Sequence, residues 1–163
     1  MRILVTGGSG FIGTHLIESL LADQYEVRNL DIAPPKLLKD RVYWIEGDVT
    51  DATSVMRLVK SFSPQAICHL AARTDMEGNS IEDYVVNYEG TQCLLDAAHA
   101  HPAVERFILV STQFVHQQPN SMPQHDADYA PHTLYGESNV RAEEALRAVA
   151  GSHFAWAIAR PTN

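Results

Sequence analysis

The sequence predicts an α/β fold: a doubly wound parallel sheet of six strands, in the order 3-2-1-4-5-6, with helices on both faces. Three observations carry this. Short apolar runs alternate with segments of helical periodicity from one end of the 163 residues to the other. Six such runs can be counted, and none is joined to the next by a hairpin signal. The first run ends at a cluster of glycines that opens the first helix.

The elements follow in order. Residues 3–5 form a short apolar run ending at glycines, as a buried strand would. Residues 11–21 are apolar at helical spacing. Residues 25–30 read as a second strand, ending at Asp31. The "APP" at 33–35 forbids regular structure, and residues 42–45 read as a third strand. Residues 50–62 repeat Val55, Leu58, Val59 and Phe62 at helical spacing, and 66–70 form a fourth strand. Ser80 with Asp83 resembles a capping box, followed by Ile81, Tyr84, Val85, Tyr88 and Leu95 at helical intervals. Residues 106–110 form a fifth strand. Residues 116–131, rich in proline and aspartate, read as a loop. Residues 133–149 form a helix, and 154–159 the sixth strand.

Composition bounds the partners. The formal net charge is -8, with 45% hydrophobic and 20% charged residues. That suits one soluble domain and argues against a nucleic-acid backbone or an anionic membrane surface as the main partner. No apolar run reaches the length of a membrane span, and the opening "MRILVTGG" is too short for a signal peptide. The two cysteines, Cys68 and Cys93, read as buried free thiols in a reducing cytoplasm. His99 and His101 are too close together and too isolated to suggest a metal site, and no metal is expected.

"TGGSGFIG" places Gly7, Gly10 and Gly13 at intervals of three, after a strand and at the start of a helix. Glycines there let the chain turn tightly and let a pyrophosphate approach the helix amides. A glycine-rich turn without a ligand is the alternative. Asp31, at the end of the second strand, stands where a carboxylate would accept hydrogen bonds from a ribose and repel a 2′-phosphate. This favours NAD over NADP.

Taken in order, "TGGSGFIG" at 6–13, "GDVTD" at 47–51, "HLAA" at 69–72, "VVNYEGT" at 85–91, "VSTQFVH" at 110–116, "LYGESN" at 134–139 and "RPTN" at 160–163 resemble the extended short-chain dehydrogenase/reductase family. These are the NAD-dependent epimerases and dehydratases of nucleotide sugars, built on a Rossmann fold. The resemblance runs from Met1 to Asn163. It implies that Gly7, Gly10, Phe11, Ile12 and Gly13 hold the dinucleotide, that Asp48 and Val49 contact its adenine, and that Leu70, Ala71 and Ala72 pass beneath its phosphates and ribose. It implies that Asn87 supports the active-site geometry, that Thr112 orients the substrate oxygen and that Tyr135 is the catalytic base. Asn87, Ser111, Tyr135, Asn139 and Pro161 join the cofactor contacts, and Asn139 stands with Tyr135 and Thr112 in the catalytic set.

One position departs from the family pattern. A tyrosine has a pKa near ~10, so only about one part in a thousand is ionised at pH 7. The family lowers it with a lysine four residues on, and here that residue is Asn139. An amide can bond a ribose hydroxyl but supplies no positive charge. Arg141 projects from another part of the helix surface; His116, His125 and His132 lie in or near the loop and any one could approach Tyr135, although lone loop histidines are more often simply solvated. The resemblance thus implies an enzyme with impaired chemistry, or a non-catalytic NAD-binding or interaction module. It also implies that residues 1–163 are the NAD-binding domain, that a substrate domain would follow Asn163, and that helices beginning near Ser80 and Thr133 pair into a homodimer, with Tyr84, Tyr88 and Leu95 either supplying its apolar area or covering the sheet.

Overall fold

The computed structural model describes residues 1–116, 125–149, 151 and 153–161. Residues 117–124 of the loop predicted at 116–131, and the last two residues of "RPTN", lie outside the described residues. The elements are β1 (Arg2–Thr6), α1 (Phe11–Ala22), β2 (Glu26–Asp31), β3 (Trp44–Glu46), α2 (Ala52–Phe62), β4 (Ala66–His69), α3 (Val85–Ala100), β5 (Arg106–Val110), α4 (Leu134–Ala148) and β6 (Ala155–Ala159). The six strands form one sheet in the order β3-β2-β1-β4-β5-β6, and every pair is parallel. This is the predicted Rossmann order.

The sheet is buried through alternation. Ile3 and Val5 of β1 face α1 and pack with Ile17, Val27 and Ala66. Leu4 points the other way, into a larger core with Ile67, Phe107, Leu94 and Leu146, formed under α2, α3 and α4. Because both faces of β1 are covered, its apolar run is unbroken, as parallel strands require.

Three expectations need correction. The third strand does not begin at residue 42. Leu38–Tyr43 wind into a 3-10 turn, leaving Val42 71% exposed, so the apolar residue that suggested a strand faces solvent. The strand proper begins at Trp44, opposite Asn29, with the indole donating to the carbonyl of Asp31 at 2.9 Å. The second helix starts at Ala52 rather than 50. The Asp48 carboxylate captures both the amide and the hydroxyl of Thr50 at 2.8 Å, and Asp51 then caps the helix by accepting from Ser54. Such local bonds compete with helix at its start.

The cysteines are half-buried rather than buried. Cys68 lies on the α1 side of the sheet, where α1 covers β1 and its neighbours but not β6. Ala155, Ala157 and Ala159 are exposed on that face, and among the described residues no helix lies over them. Burial still pushes the Cys68 thiol up to about 11, so it stays protonated.

The capping expectation holds in a modified form. Asp83 accepts from the amides of Asn79 at 2.8 Å and Ser80 at 3.2 Å, but a 3-10 turn, Ile81–Tyr84, precedes α3. Tyr84 and Leu95 are buried inside the chain, 1% and 0% exposed, so of the three residues expected at a partner surface only Tyr88 lies near the outside. Among the described residues no helix is long and apolar enough to cross a membrane.

Candidate functional site

All six strands end at one edge of the sheet, and β1 and β4 are the neighbours between which the strand order reverses. Ligands bind outside that edge in doubly wound sheets. A cleft of about 1060 Å³ lies there, lined by the glycine turn, Asp31, Asp48 and Val49, residues 70–72, Ser111, Thr112, Tyr135 and Pro161. The structure therefore gathers into one wall fifteen residues that the sequence scattered over 155 positions: Gly7, Gly10, Phe11, Ile12, Gly13, Asp31, Asp48, Val49, Leu70, Ala71, Ala72, Ser111, Thr112, Tyr135 and Pro161. Asn87 and Asn139 stand behind the wall.

Two of the glycines are required by shape. Gly7 has φ +70, and a Cβ there would lie 2.6 Å from the Ala71 amide nitrogen. A Cβ on Gly13 would lie 2.5 Å from the Gly7 carbonyl. Neither contact can be relieved by a rotamer change, because both partners are backbone.

The turn is held by two side chains of β2. Asn29, buried, accepts from the Gly8 amide at 2.9 Å and donates to Ser9 Oγ at 3.1 Å. Asp31 accepts from the amides of Ser9 and Ala33, each at 2.9 Å. Each Asp31 oxygen thus accepts one bond here and has room for another. A ribose diol could take those positions. The glycine turn, the small alanines and this acidic strand end suit a dinucleotide with a free 2′-hydroxyl. Asn29 and Ser9 were not expected from sequence, since one polar residue within a strand carries no periodic signal.

Beneath the cleft runs a directional hydrogen-bond chain. The Ala71 amide donates to Thr6 Oγ1 at 3.3 Å, and Thr6 Oγ1 meets His69 Nδ1 at 2.6 Å. His69 Nε2 meets Thr91 Oγ1 at 3.0 Å, whose own proton goes to the Asn87 carbonyl at 2.6 Å. Thr91 has spent its proton, so it accepts from Nε2–H. His69 Nδ1 then carries the lone pair and accepts from Thr6. The ring is neutral, and complete burial lowers its pKa to about 4.

This burial makes stability depend on pH. The unfolded histidine titrates near 6.5, so below that pH the unfolded state binds a proton that the folded state refuses. Stability is then lost as pH falls from 6.5 toward 4, by about 2 kcal/mol at pH 5. Urea unfolding at pH 7 and pH 5 measures it, with His69→Gln as the comparison. An equal pH dependence in both proteins would contradict the assignment.

Asn87 joins this chain to α4. Its side chain accepts from the Arg73 amide at 2.7 Å and donates to the Arg73 carbonyl at 3.1 Å and to Ser138 Oγ at 2.8 Å. Ser138 donates in turn to the Tyr135 carbonyl at 2.7 Å. Arg73 lines the cleft but is committed elsewhere: it pairs with Asp75 at 2.8 Å and lies 5.1 Å over the Tyr84 ring.

Thr133 caps α4 by accepting from the Gly136 amide at 2.9 Å, which sets Tyr135 in the first turn. Its ring packs against Tyr84 and Phe114 at centroid distances of 6.3 and 6.2 Å. Burial pushes the Tyr135 phenol above its ordinary pKa. The neighbouring Thr112 hydroxyl and Asn139 amide pull downward without reversing the effect. Asn139 is buried and donates to the Tyr135 carbonyl at 2.9 Å. The candidate substitutes have partners of their own. Arg141 pairs with Glu137 at 2.7 Å; His116 is bonded to Asp128 and Arg160; His132 packs on Phe114 at 5.9 Å; and the described backbone of His125 is tied to Asp128. Thr112 and Tyr135 therefore share a wall, with neutral groups acting on the phenol where the chemistry calls for a cation.

Comparison with known proteins decides the family. The NAD dependent epimerase/dehydratase family matches residues 3–163. The chain belongs to this family. Its members use NAD, and the cleft has the parts for it. Human dTDP-D-glucose 4,6-dehydratase is 37% identical over 129 residues, covering 71% of this chain and 37% of that protein. The 3 beta-hydroxysteroid dehydrogenase/Delta 5→4-isomerase of Mycobacterium tuberculosis strain H37Rv is 34% identical over 163 residues, 92% of this chain and 43% of that one. Among solved structures, the NAD complex of UDP-glucose 4-epimerase from Thermus thermophilus superimposes with a TM-score of 0.84 at 30% identity, over 98% of this chain and 54% of that one. The chain thus spans about half, or less, of the length of these relatives.

Proposed function

We propose that this chain is the NAD-binding part of an epimerase or dehydratase acting on nucleotide sugars. One observation carries the reading: the dinucleotide cradle and the Thr112–Tyr135 pair open into the same cleft. The backbone from Gly7 to Gly13, with Phe11 and Ile12, would hold the pyrophosphate and Asp31 the adenosine ribose. Asp48 and Val49 would flank the adenine, residues 70–72 would lie beneath the phosphates and ribose, and Ser111 and Pro161 would contact the rest of the cofactor. When bound, NAD would serve as a reversible acceptor for a hydride from the sugar carbon. Thr112 donates a hydrogen bond to the sugar oxygen, and Tyr135 exchanges a proton with it.

A second reading is favoured by a specific observation. Tyr135 is acted on by two neutral groups and its pKa is raised rather than lowered, so the isolated chain suits an NAD-binding module with little turnover. The exposed alanines of β6 support a further segment packing on that face, the place for a substrate domain. Tyr88 and neighbouring residues of α3 and α4 support pairing of two copies. The two free thiols and the absence of a long apolar helix among the described residues suit the cytoplasm.

The test is transient NADH absorbance in a protein extended to the length of the relatives. It is measured with a panel of nucleotide sugars and with a 3β-hydroxysteroid. A signal with a sugar nucleotide is the expected result. A signal with the steroid alone would move the chain to the other branch, and none with either would favour the binding module.

A further inference from the structure

Glu143 lies on α4 eight residues after Tyr135 and is 0% exposed. Its carboxylate is saturated. Ser111 Oγ donates to Oε1 at 2.5 Å, Arg160 Nε to the same oxygen at 2.8 Å, and Tyr129 Oη to Oε2 at 2.9 Å. The second arm of Arg160 also reaches Oε2. Arg160 then donates to the Asp126 carbonyl at 2.6 Å and to His116 Nε2 at 2.9 Å. A guanidinium only donates, so His116 must accept there, and its Nδ1 proton goes to the Asp128 carbonyl at 2.9 Å.

One carboxylate thus joins α4 to the ends of two strands. Ser111 follows β5 and immediately precedes Thr112. Arg160 follows β6 and immediately precedes Pro161. The two strand ends are also tied directly, by the Ser111 amide to the Ala159 carbonyl at 2.8 Å. Ser111, Thr112, Tyr135 and Pro161 all line the cleft. We propose that Glu143 is a positioning residue, which through Ser111 and Arg160 sets where Thr112 and Pro161 stand relative to Tyr135. Stability alone is a weak reason for such a pair, because a buried ion pair is often no better than apolar side chains of similar volume. What apolar side chains cannot reproduce is a bond from α4 to two strand ends at once. The cofactor arm of the test rests on the NAD reading above; the geometric arm does not.

The experiment uses this chain, in the wild type, Glu143→Gln, Ser111→Ala and the double variant Glu143→Leu/Arg160→Met. Three quantities are read: the melting temperature, NAD affinity by calorimetry well below melting, and the NMR shift of the Thr112 methyl group without cofactor. Glu143→Gln should melt lower, because Arg160 loses its buried charge partner. The double variant should regain most of that loss, yet still bind NAD at least ~10-fold more weakly than wild type, with the Thr112 methyl displaced. Ser111→Ala keeps the ion pair and should displace the methyl with little change in melting. Recovery of NAD affinity together with stability in the double variant would overturn the proposal. So would a Thr112 methyl unmoved in every variant that folds. A wild-type chain that binds no NAD would sink the functional reading, and the positioning role would then stand or fall on the methyl resonance.

Discussion

Asn139→Lys should lower the pKa of Tyr135 by ~1–3, the effect expected of an opposite charge within hydrogen-bonding range. The present environment leaves ample room for such a change. The phenol is held above its ordinary value by burial, and the groups opposing burial, Thr112 and Asn139, are neutral. Residues four apart on a helix share a face, and the Asn139 side chain already touches the Tyr135 backbone. An ammonium at that position would favour the tyrosinate by about 1.4 kcal/mol for each tenfold rise in the phenol's acidity constant. Because position 139 is only 5% exposed, the longer side chain should also lower stability, by roughly 1–3 kcal/mol for overpacking. Tyrosine-selective carbon NMR across the alkaline range reads the titration, with Tyr135→Phe assigning the signal. In a protein extended past Asn163, hydride transfer should rise ~10²–10⁴-fold, the usual contribution of a working base. A tyrosine titration that does not move would contradict the geometry. Fast hydride transfer with Asn139 in place would show that another group supplies the charge.

The second large effect is on cofactor choice. Asp31 faces the cleft and still has acceptor capacity on both oxygens. At an effective dielectric of ~20, unit charges of like sign ~4 Å apart repel by about 4 kcal/mol, and solvent at the cleft mouth reduces this. A preference for NAD over NADP of ~10- to 100-fold is the resulting expectation. Asp31→Ala should collapse that ratio toward one. It should do so by removing both the acceptor for the ribose diol and the repulsion of a 2′-phosphate, while loss of the acceptor that holds the Ser9 amide should weaken both dinucleotides alike. A ratio unchanged in the variant would show that the 2′ position is read by another residue.

The legible parts of the molecule were those written in periodicity and in short range. Ile3 to Val5, Phe107 and the repeat of Val55, Val59 and Phe62 announced a buried sheet under helices. The glycine turn announced itself because Gly7 and Gly13 are demanded by the backbone alone. Val42 misled because an apolar residue in a 3-10 turn leading into an edge strand can face solvent. The polar framework was legible only in part: the motifs marked Asn87 and Ser111, but not their partners. Thr6 meets His69 across 63 residues, Asn87 meets Ser138 across 51 and Ser111 meets Glu143 across 32. Each is a single buried polar side chain within an apolar pattern, and its partner exists only once the strands are in order. Asn139 was the opposite case: its identity was visible in the sequence, but its commitment to the Tyr135 carbonyl was not.

Everything proposed for the chemistry depends on this cleft holding NAD through the glycine turn and Asp31. Calorimetric titration of the unmodified chain with NAD and with NADP, in the same buffer and at the same salt, puts that to the test. Saturable one-to-one binding of NAD is expected, with NADP bound at least ~10-fold more weakly, a difference of about 1.4 kcal/mol or more. Equal or tighter binding of NADP, or no heat with either dinucleotide from a chain shown to be folded, would refute it.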